Sequence, residues 1–491
     1  MRARIVAIAV SCGFAVAGVI NCSAAQADPA GGWTLPRLTV VNRTISDVTG
    51  RAVLLRGVNL NQLAEYKQNN PALPTVAPFD VAEFPKMAAL GFNVVRLDLS
   101  WSRLEPTPGA FDRSYVAKIH EAVNAAKSNG IYTLLDMHQD AWGPEIGTPK
   151  GDHCPPVLTK PGLGWDGAPG WATITDGWST CAVGGVREIS PAVARAFQNF
   201  YDNTRGVQDH LVATWGKLAA EFKSEPAVMG YDILNEPNPG LRDPISAADQ
   251  LGRFYQRAIA SIRAAERGGF PHLVVFEPGA LWSAFGIDAT PPARYVGDPL
   301  AVFSPRLYNE SINVIKALPS IEQGFQIARN AADRYGVPMW TGEWGWFGNP
   351  SSDAALVNRF IDQLDHYQTG GAWWSWTQAC GDPHSVRDGL TNKIDGNLNL
   401  IACPAGTPIG LQAGFAGPLS RAYPRAIPGR VTKVDAHGFS GVGSGRAEAW
   451  YPGSTRPQLG TTNVQDLQLT RVSGGWRLIA RASGAYAVTS S

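Results

Sequence analysis

The feature that most constrains the fold is an alternation of short apolar segments and amphipathic segments between about residues 51 and 378. This pattern is typical of a parallel sheet with crossover helices. Eight strands are expected, which is the number in a closed (β/α)8 barrel, and no glycine-rich phosphate loop follows the first. We therefore predict the α/β class and a TIM barrel with these strands: Val53–Leu60, Asn93–Trp101, Ile131–Asp140, Met229–Pro237, Leu273–Pro278, Ala301–Tyr308, Val337–Gly345 and Gly370–Gln378.

Polar or aromatic residues close almost every predicted strand. The C-terminal ends of the strands converge on one face of such a barrel, and that face holds the active site. We therefore expect the following side chains to surround one pocket: Asn59, Arg96, Asp98, His138, Asp140, Asn235, Glu236, Glu277, Tyr308, Glu343 and Trp376.

Two glutamates among these residues suggest a reaction. Glu236 lies in Asn235-Glu236-Pro237 at the end of the fourth predicted strand, and Glu343 lies in Gly342-Glu343-Trp344 at the end of the seventh. Burying a carboxylate is costly, and two carboxyl groups brought together by the fold are what a glycosidase needs. We predict that Glu236 is the acid/base and Glu343 the nucleophile of a retaining glycosidase.

The neighbouring polar residues fit supporting roles in this site. Arg96 is expected to keep Glu343 ionised through charge-assisted hydrogen bonds. Asn235 is expected to hydrogen-bond the sugar 2-hydroxyl. His138 and Asp140 are expected to orient other hydroxyls, although His138 also fits a buried histidine that the backbone satisfies.

Glu277 and the tryptophans complete the predicted pocket. Glu277 also ends a strand, but its surroundings lack a comparable polar neighbour, so we assign it to the pocket lining. The chain has 16 tryptophans, and indole rings stack on the apolar faces of sugars. For most of them core packing is the better interpretation. Trp376 is the exception, because it ends the eighth strand beside the pocket.

Residues 1–27 have the pattern of a secretory signal. Arg2 and Arg4 precede an apolar stretch, and Ala25-Gln26-Ala27 forms a small-residue cleavage site before Asp28. The stretch is too short and too rich in glycine and alanine for a membrane span, so we expect a secreted protein without a transmembrane segment. Without the signal, 40 basic residues face 41 acidic ones, and no basic run indicates a nucleic-acid partner.

Four cysteines remain after the signal: Cys154, Cys181, Cys380 and Cys403. An even number in an exported protein indicates disulfides, and local pairing of 154 with 181 and 380 with 403 is favoured because both loops are short. The first pair lies in a long insertion between the third and fourth strands, roughly Ala141 to Ser190. We expect this insertion to form a stapled wall of the substrate cleft.

The pattern changes after Cys403. Short alternating segments separated by glycine, proline and serine predict an antiparallel β-sandwich. We therefore assign residues 28–403 to the catalytic barrel and residues 404–491 to a second domain with a structural role. No metal or cofactor motif is present in the sequence, and we expect a monomer.

Together these motifs resemble glycoside hydrolase family 5 across residues 36–400. The residues that carry the resemblance are Arg96-Leu97, Trp101, Met137-His138, Asn235-Glu236-Pro237, Tyr308 and Gly342-Glu343. Within the family, the chain looks most like the endoglycoceramidases. The features that support this subgroup are Met137-His138-Gln139-Asp140, Lys67, the long insertion and the C-terminal β domain.

The resemblance implies hydrolysis of the β-linkage between an oligosaccharide and ceramide in glycosphingolipids, presented in micelles or membranes. It assigns the acid/base to Glu236 and the nucleophile to Glu343. The sugar contacts that it implies are Lys67, His138, Asp140, Asn235, Tyr308 and Trp376. The departure is Arg306-Leu307-Tyr308, where the wider family often has His-x-Tyr, and it leaves open whether the first sugar is glucose or galactose.

Three aromatic residues follow the nucleophile: Trp344, Trp346 and Phe347. They fit either an apolar surface for ceramide, with Trp346 as a substrate contact, or packing beneath neighbouring loops. Two other functions remain open. One is a polysaccharide endo-β-glucanase or mannanase on the same barrel, and the other is a non-catalytic protein that binds carbohydrate or lipid.

Overall fold

The computed structural model describes residues 33–490, except 68–69, 287, 289, 313–318, 349 and 385–396. The predicted signal, residues 1–27, lies outside the described residues. The strands of the described chain are β1 (Leu38–Val41), β2 (Thr44–Asp47), β3 (Arg51–Val53), β4 (Arg56–Leu60), β5 (Val94–Ser100), β6 (Tyr132–His138), β7 (Thr159–Lys160), β8 (Ala182–Val183), β9 (Val228–Asp232), β10 (Leu273–Phe276), β11 (Ala301–Phe303), β12 (Thr341–Trp344), β13 (Gly371–Trp373), β14 (Asn399–Ala402), β15 (Thr407–Leu411), β16 (Tyr423–Pro428), β17 (Arg430–Asp435), β18 (Gly438–Val442), β19 (Gly445–Pro452), β20 (Leu459–Val472) and β21 (Gly475–Ser490).

The helices alternate with the strands of the first half of the chain. They are α1 (Glu83–Ala89), α2 (Trp101–Leu104), α3 (Arg113–Ser128), α4 (Pro191–Tyr201), α5 (Val207–Phe222), α6 (Pro244–Ala265), α7 (Leu281–Phe285), α8 (Ile321–Tyr335), α9 (Pro350–His366) and α10 (Ala413–Leu419). Side-chain caps mark where several of them begin. Asp112 caps α3, Asp243 caps α6, and Ser320 with Gln323 forms a capping box at α8.

Eight strands form the predicted closed barrel. Their order is β11-β10-β9-β6-β5-β4-β13-β12, and all neighbouring pairs are parallel. Parallel bridges from Phe303 to Met339 and from Arg306 to Glu343 join the two ends of this order. The predicted strands are confirmed in number and location, but most end earlier than predicted because the polar residues continue into loops.

Side-chain alternation divides the barrel interior into two layers. Inward-facing apolar residues fill the lower layer, and β1 and β2 close it from below with Leu38 and Ile45. The next inward positions on the same strands are charged or polar, because successive inward residues are two apart. They form the upper layer: Arg96, Asp98, Asp136, Asp232, Glu277 and Arg306. The catalytic face lies above this layer.

The insertion after β6 folds over the catalytic face as a small unit of its own. Its hairpin pairs β7 with β8, and the Cys154–Cys181 disulfide links the two sides. The second disulfide joins Cys380 to Cys403. Both predicted cysteine pairings are therefore confirmed.

The antiparallel part of the molecule differs from the predicted domain limits. Its sheet runs β1-β2-β3-β16-β19-β21-β18-β17, with β20 paired to β21. β16 also contacts β17 and β18, so the sheet folds over one shared core. The N-terminal strands β1 to β3, which we had assigned to residues 28–403, thus belong to this sheet. They do so because β3 pairs with β16.

The predicted boundary at residue 404 also falls inside a barrel element. β14 and β15 form a hairpin across it, and α10 packs on α9 with Phe415 against Trp373. The second sheet resumes only at Tyr423. Among the described residues, no helix has both the length and the apolar character that crossing a membrane requires.

Candidate active site

Glu236 lies just beyond β9 in an unusual backbone conformation. Its φ is +39°, in the left-handed region that side chains other than glycine rarely adopt. Two neighbours hold this conformation. The Glu236 N–H donates to Glu277 Oε2 at 2.9 Å, and Gln139 Nε2 donates to the Glu236 carbonyl at 2.9 Å. Backbone strain of about 1–3 kcal/mol persists only where surroundings enforce it, and it clusters at active sites.

The Glu236 carboxyl group faces the catalytic side of the barrel and is 10% exposed. Its Oε1 accepts a hydrogen bond from the Ser283 hydroxyl, and its Oε2 lies 3.5 Å from Arg187 Nη2. Burial and the charge of Glu343 raise the pKa of Glu236 to about 7, although Arg187 opposes the shift. A carboxyl group with this pKa can donate a proton near neutral pH and take one back.

Glu343 is the penultimate residue of β12, and its carboxyl group contacts two cations and a hydroxyl group. The Tyr308 hydroxyl donates to its Oε1 at 2.5 Å. Its Oε2 lies 3.5 Å from Arg96 Nη1 and 3.6 Å from Arg306 Nε. The contacts of this carboxyl group thus differ from those of Glu236, which has one cation nearby.

The two arginines beneath Glu343 lie in the charged layer of the barrel. Arg96 is fully buried and contacts Asp136 at 2.7 Å and Asp232 at 2.9 Å. Arg306 pairs with Glu277, which in turn accepts from the Glu236 backbone. The side chain of Arg306, which stands where the wider family often has histidine, thus points into the charged layer. It connects the groups that contact Glu343 with the groups that hold Glu236.

Acidic side chains in this layer outnumber the arginines. Burial raises the pKa of Asp98 to about 7, although His138 and Arg96 oppose the shift. Burial likewise raises the pKa of Glu277 well above its usual value, against the effect of Arg306. Burial therefore disfavours the ionised form of both carboxyl groups, and the neighbouring cations oppose that effect.

Within the described residues, two buried sets have ligand atoms close enough together to hold a metal ion: Asp98, Asp136 and His138, and Asp136, Asp232 and Glu277. The guanidinium of Arg96 lies beside both sets and supplies the positive charge that they require.

A polar cluster flanks the pair of glutamates on the β6 side. His138 Nδ1 lies 2.8 Å from Asp136, its Nε2 lies 3.3 Å from Asp140, and its ring stacks on Trp374 at 5.6 Å. Burial opposes protonation, but Asp98 and Asp140 raise the pKa of His138 well above its usual value. Because its ring nitrogens face carboxylates, the structure places His138 in this cluster rather than against backbone.

Asp140 joins this cluster to two residues that the sequence did not single out. Its Oδ2 lies 3.0 Å from His384 Nε2, and its Oδ1 lies 2.8 Å from Arg187 Nη2. Asp382 holds the other ring nitrogen of His384 at 2.8 Å. Burial disfavours the charged imidazole, but Asp382 and Asp140 raise the pKa of His384 to about 9.

The insertion forms part of the site wall, as we expected. Arg187 reaches Asp140 and Glu236 from it, and the guanidinium lies 4.2 Å from the ring centroid of Trp165. Trp165 also contacts His384 edge-on at 4.9 Å. The stapled unit therefore contributes one cation and one aromatic surface to the catalytic face.

Some predicted substrate contacts lie elsewhere in the structure. Trp376 is fully buried and its indole nitrogen donates to Glu83 at the start of α1, so it faces away from the site. β13 ends at Trp373, and Trp374 is the residue beside His138. Trp346 is also buried, against Trp344 and Phe360. These tryptophans pack beneath loops and do not form a surface groove.

Other predicted contacts lie at different depths. Arg96 is entirely enclosed by protein and acts through Glu343. Asn235 is buried, and its Oδ1 accepts from both Arg96 and Arg306. Lys67 is 53% exposed and pairs with Glu145 of the insertion. The substrate contacts of these three residues stay predictions.

The residues that sequence reasoning missed are Gln139, Arg187, Ser283, Trp374 and His384. Gln139 lies between His138 and Asp140, and Trp374 is two residues before Trp376, so the strand ends themselves were the available signal. Arg187 and His384 lie in loops and Ser283 lies in the short helix α7, and no local pattern distinguishes them from surface residues.

Known proteins resemble this chain in sequence and in fold. The family model described as cellulase (glycosyl hydrolase family 5) matches residues 80–380. The crystal structure of an endogalactoceramidase is 66% identical, with a TM-score of 0.91, and covers 93% of this chain and 100% of that chain.

Two sequence relatives point in the same direction. Endoglycoceramidase I from Rhodococcus hoagii (strain 103S) is 28% identical over 67% of this chain and 65% of the relative. An endoglycoceramidase from Cyanea nozakii is 32% identical over 49% of this chain and 50% of the relative. The chain thus spans one half to two thirds of the length of these two relatives.

The family model covers more than half of the chain, and both glutamates of the site lie within the matched residues. With its barrel and its buried pair of carboxyl groups, the chain belongs to glycosyl hydrolase family 5.

Proposed function

We propose that this chain is a retaining endo-β-glycosidase that releases an intact oligosaccharide from ceramide. The observation that carries the proposal is the unequal environment of the two glutamates. Glu343 lies against two arginines and a tyrosine hydroxyl, whereas Glu236 is buried with a pKa of about 7. One group is suited to attack and the other to proton transfer.

The reaction takes two steps. In the first, a Glu343 oxygen attacks the anomeric carbon, the glycosidic C–O bond breaks, and Glu236 gives its proton to the departing ceramide oxygen. In the second, water attacks the same carbon, Glu236 takes a proton from that water, and the bond to Glu343 breaks. Because the configuration inverts twice, the product keeps the β configuration.

The substrate class comes from the relatives. A 66% identical structure is named endogalactoceramidase, and two sequence relatives are named endoglycoceramidase. We extend this to the present chain and propose a galactose at the ceramide-linked position. Arg306, which stands where the wider family often has histidine, shapes the floor beneath that sugar through Glu277 and Asn235.

We further propose that the glycolipid is met in a micelle or membrane. Five apolar side chains on the insertion are 42–89% exposed: Val157, Leu158, Val183, Val186 and Ile189. Backbone hydrogen bonds keep them together, from Gly184 to Leu158 and from Val183 to Ile189. Val186 and Ile189 flank Arg187, so the apolar surface and the site share one loop.

Product analysis tests the substrate. Incubation with galactosylceramide-based and glucosylceramide-based glycolipids, cellulose and mannan should give free oligosaccharide and ceramide only from the galactosyl series. Cleavage of cellulose or mannan instead would favour the polysaccharide endoglycanase. Binding without any turnover would favour a non-catalytic lectin.

The proposal that the enzyme meets its glycolipid in a micelle or membrane is tested with the triple variant Leu158→Ser/Val186→Ser/Ile189→Ser. Hydrolysis of glycolipid in vesicles should fall at least about tenfold, because roughly 25 cal/mol per Å² of apolar contact with lipid is lost. Hydrolysis of a soluble aryl β-galactoside should not change. Val48→Ser/Val442→Ser removes apolar side chains of 48% and 44% exposure from the other sheet and serves as the matched control. Equal losses on both substrates would refute the surface.

Secretion and a monomeric state are also proposals. The pattern of residues 1–27 supports export, as do the two disulfides, which form in oxidising compartments. Mass spectrometry of the exported protein should find Asp28 at its N-terminus, and sedimentation should give the mass of one chain.

A further inference from the structure

Arg187 is the cation nearest to the Glu236 carboxyl group among the contacts of the described residues. Its Nη2 lies 3.5 Å from Glu236 Oε2 and 2.8 Å from Asp140 Oδ1. The side chain comes from the insertion and not from a barrel strand, and it is 22% exposed. The two-step reaction described above assigns no role to Arg187.

The structure holds this guanidinium in place from several sides. Trp165 covers one face at 4.2 Å, Glu188 pairs with its Nε, and Asp140 pairs with its Nη2 at 2.8 Å. The loop itself is tied to the acid/base strand, because Asn238 Nδ2 donates to the Glu188 carbonyl at 2.9 Å. A planar cation held in this way is preorganised toward one partner.

Two acidic groups that face Glu236 favour its protonated form: Glu343 in β12 and Asp140 after β6. The Ser283 hydroxyl in α7 donates to the Glu236 carboxyl group and favours the carboxylate, as Arg187 does, and the neutral Tyr308 hydroxyl after β11 donates to Glu343. Asp140 and Glu188 both contact Arg187. Asp140 is shared with His138 and His384, and Glu188 is partly exposed, so neither carboxylate by itself neutralises the positive charge of the guanidinium.

We propose that Arg187 is a positioning residue that stabilises the carboxylate form of Glu236, and that it thereby serves the second half of the reaction. Glu236 must be protonated to release ceramide but ionised to accept the proton of the attacking water. Burial and the negative charge of Glu343 favour the protonated form of Glu236. When Glu343 is esterified its charge disappears, and the fixed positive charge of Arg187 then favours the carboxylate form of Glu236.

This inference rests on the proposed retaining mechanism, and the experiment separates the two steps. Aryl β-glycosides with a dinitrophenol leaving group depart without acid assistance, so breakdown of the glycosyl-enzyme limits their turnover. Glycosides with a poor leaving group are limited by formation of that intermediate. Wild type, Arg187→Met and Arg187→Lys are compared on both substrates across pH.

In Arg187→Met, kcat for the dinitrophenyl glycoside should fall about 10- to 100-fold and KM should fall with it, because the intermediate accumulates. Azide, which needs no base, should restore kcat and give a glycosyl azide. The basic limb of kcat/KM for the poor leaving group should move up by about one pH unit. Arg187→Lys should recover most of the loss.

Arg195→Met is the matched control. Arg195 also lies near the insertion, pairs with Asp176 at 2.6 Å and lies 5.7 Å from the ring centroid of Trp178, but it does not contact Glu236. Melting temperature and near-UV circular dichroism monitor folding, and Arg187→Gln replaces Arg187→Met if that variant folds poorly.

Two results would overturn the proposal. Equal losses in both half-reactions, without azide rescue and with an unmoved basic limb, would show that Arg187 only holds the insertion. A wild type that turns over neither aryl glycoside would refute the retaining mechanism itself and the role of Arg187 with it. Wild-type turnover with an unaffected Arg187→Met would refute only the role of Arg187.

Discussion

Glu236 and Glu343 are the same residue type at the ends of two strands of one barrel, yet their surroundings differ in charge and in backbone. Glu343 lies above Arg96 and Arg306 and accepts from Tyr308. Glu236 is reached by one cation from an inserted loop and has a left-handed backbone that Glu277 and Gln139 hold. The comparison shows that the environment, and not the residue type, distinguishes the proposed nucleophile from the proposed acid/base.

The two supports are also connected. Arg306 approaches Glu343 with its Nε and Glu277 with its Nη2, and Glu277 accepts from the backbone of Glu236. A change in this shared support should therefore affect both glutamates, whereas a change at either carboxyl group should affect one half of the reaction. The predictions below use that distinction.

Glu343→Gln should produce the largest effect. Removing the nucleophile should lower kcat/KM on all glycosides by about 10⁴-fold or more, because no covalent intermediate can form. Steady-state rates measure this loss, and binding of glycolipid should persist. Activity within tenfold of wild type would exclude Glu343 as the nucleophile.

Glu236→Gln should cost about 10²- to 10⁴-fold with a poor leaving group and much less for the first step with dinitrophenol. The reason is that only the poor leaving group needs a proton as it departs. Pre-steady-state release of the phenol separates the steps. Equal losses on both leaving groups would mean that Glu236 does not act as the acid.

Arg306→Met should lower the free energy of unfolding by about 3 kcal/mol, because Glu277 loses its closest buried partner. Arg306→Met/Glu277→Gln should recover part of that loss, since the amide can still accept from Glu236. Urea denaturation provides the measurement. Activity should fall in both variants through the weakened supports, and an unchanged midpoint in Arg306→Met would contradict the coupling.

The pH dependence of kcat/KM should follow the protonation of Glu236. Its pKa of about 7 lies above the value of a free glutamate, so the protonated acid is present below pH 7 and is lost as pH rises above it. For poor leaving groups, kcat/KM should then fall about tenfold per pH unit above pH 7. This basic limb should disappear in Glu236→Gln, and its persistence there would assign it to another group.

Trp374→Phe and Trp376→Phe should separate site from core with the smallest effects. Trp374 stacks on His138, so its replacement should raise KM for glycosides several-fold. Trp376 donates to Glu83, so its replacement should cost about 1 kcal/mol of stability and leave KM unchanged. The opposite pattern would restore Trp376 as the sugar contact.

Much of the fold could be predicted from the sequence because burial leaves a local pattern. Each barrel strand is buried on both faces and therefore appears as a continuous apolar segment. The strand ends identified Glu236, Glu343, Arg96 and Tyr308, since parallel strands bring their C-terminal ends to one face. The cysteine pairings followed from short loops.

The errors have equally local causes. Trp376 was singled out because it lies near the end of the predicted eighth strand, but β13 ends at Trp373 and Trp376 lies beyond it. The second domain was placed wholly after residue 403, because pairing between β3 and β16 joins segments that are about 370 residues apart. No local sequence pattern predicts such a pairing.

The sequence alone determined the barrel, the order of its strands and the two glutamates, because hydrophobic periodicity and strand-end chemistry depend on neighbouring residues. Only the tertiary structure decided how each glutamate is tuned. Arg187 and His384 reach the site from loops and Ser283 reaches it from α7. These residues lie far apart along the chain, and electrostatic effects depend on distance in space. Because the two glutamates differ through residues that are distant in sequence, no short stretch of sequence predicts that difference.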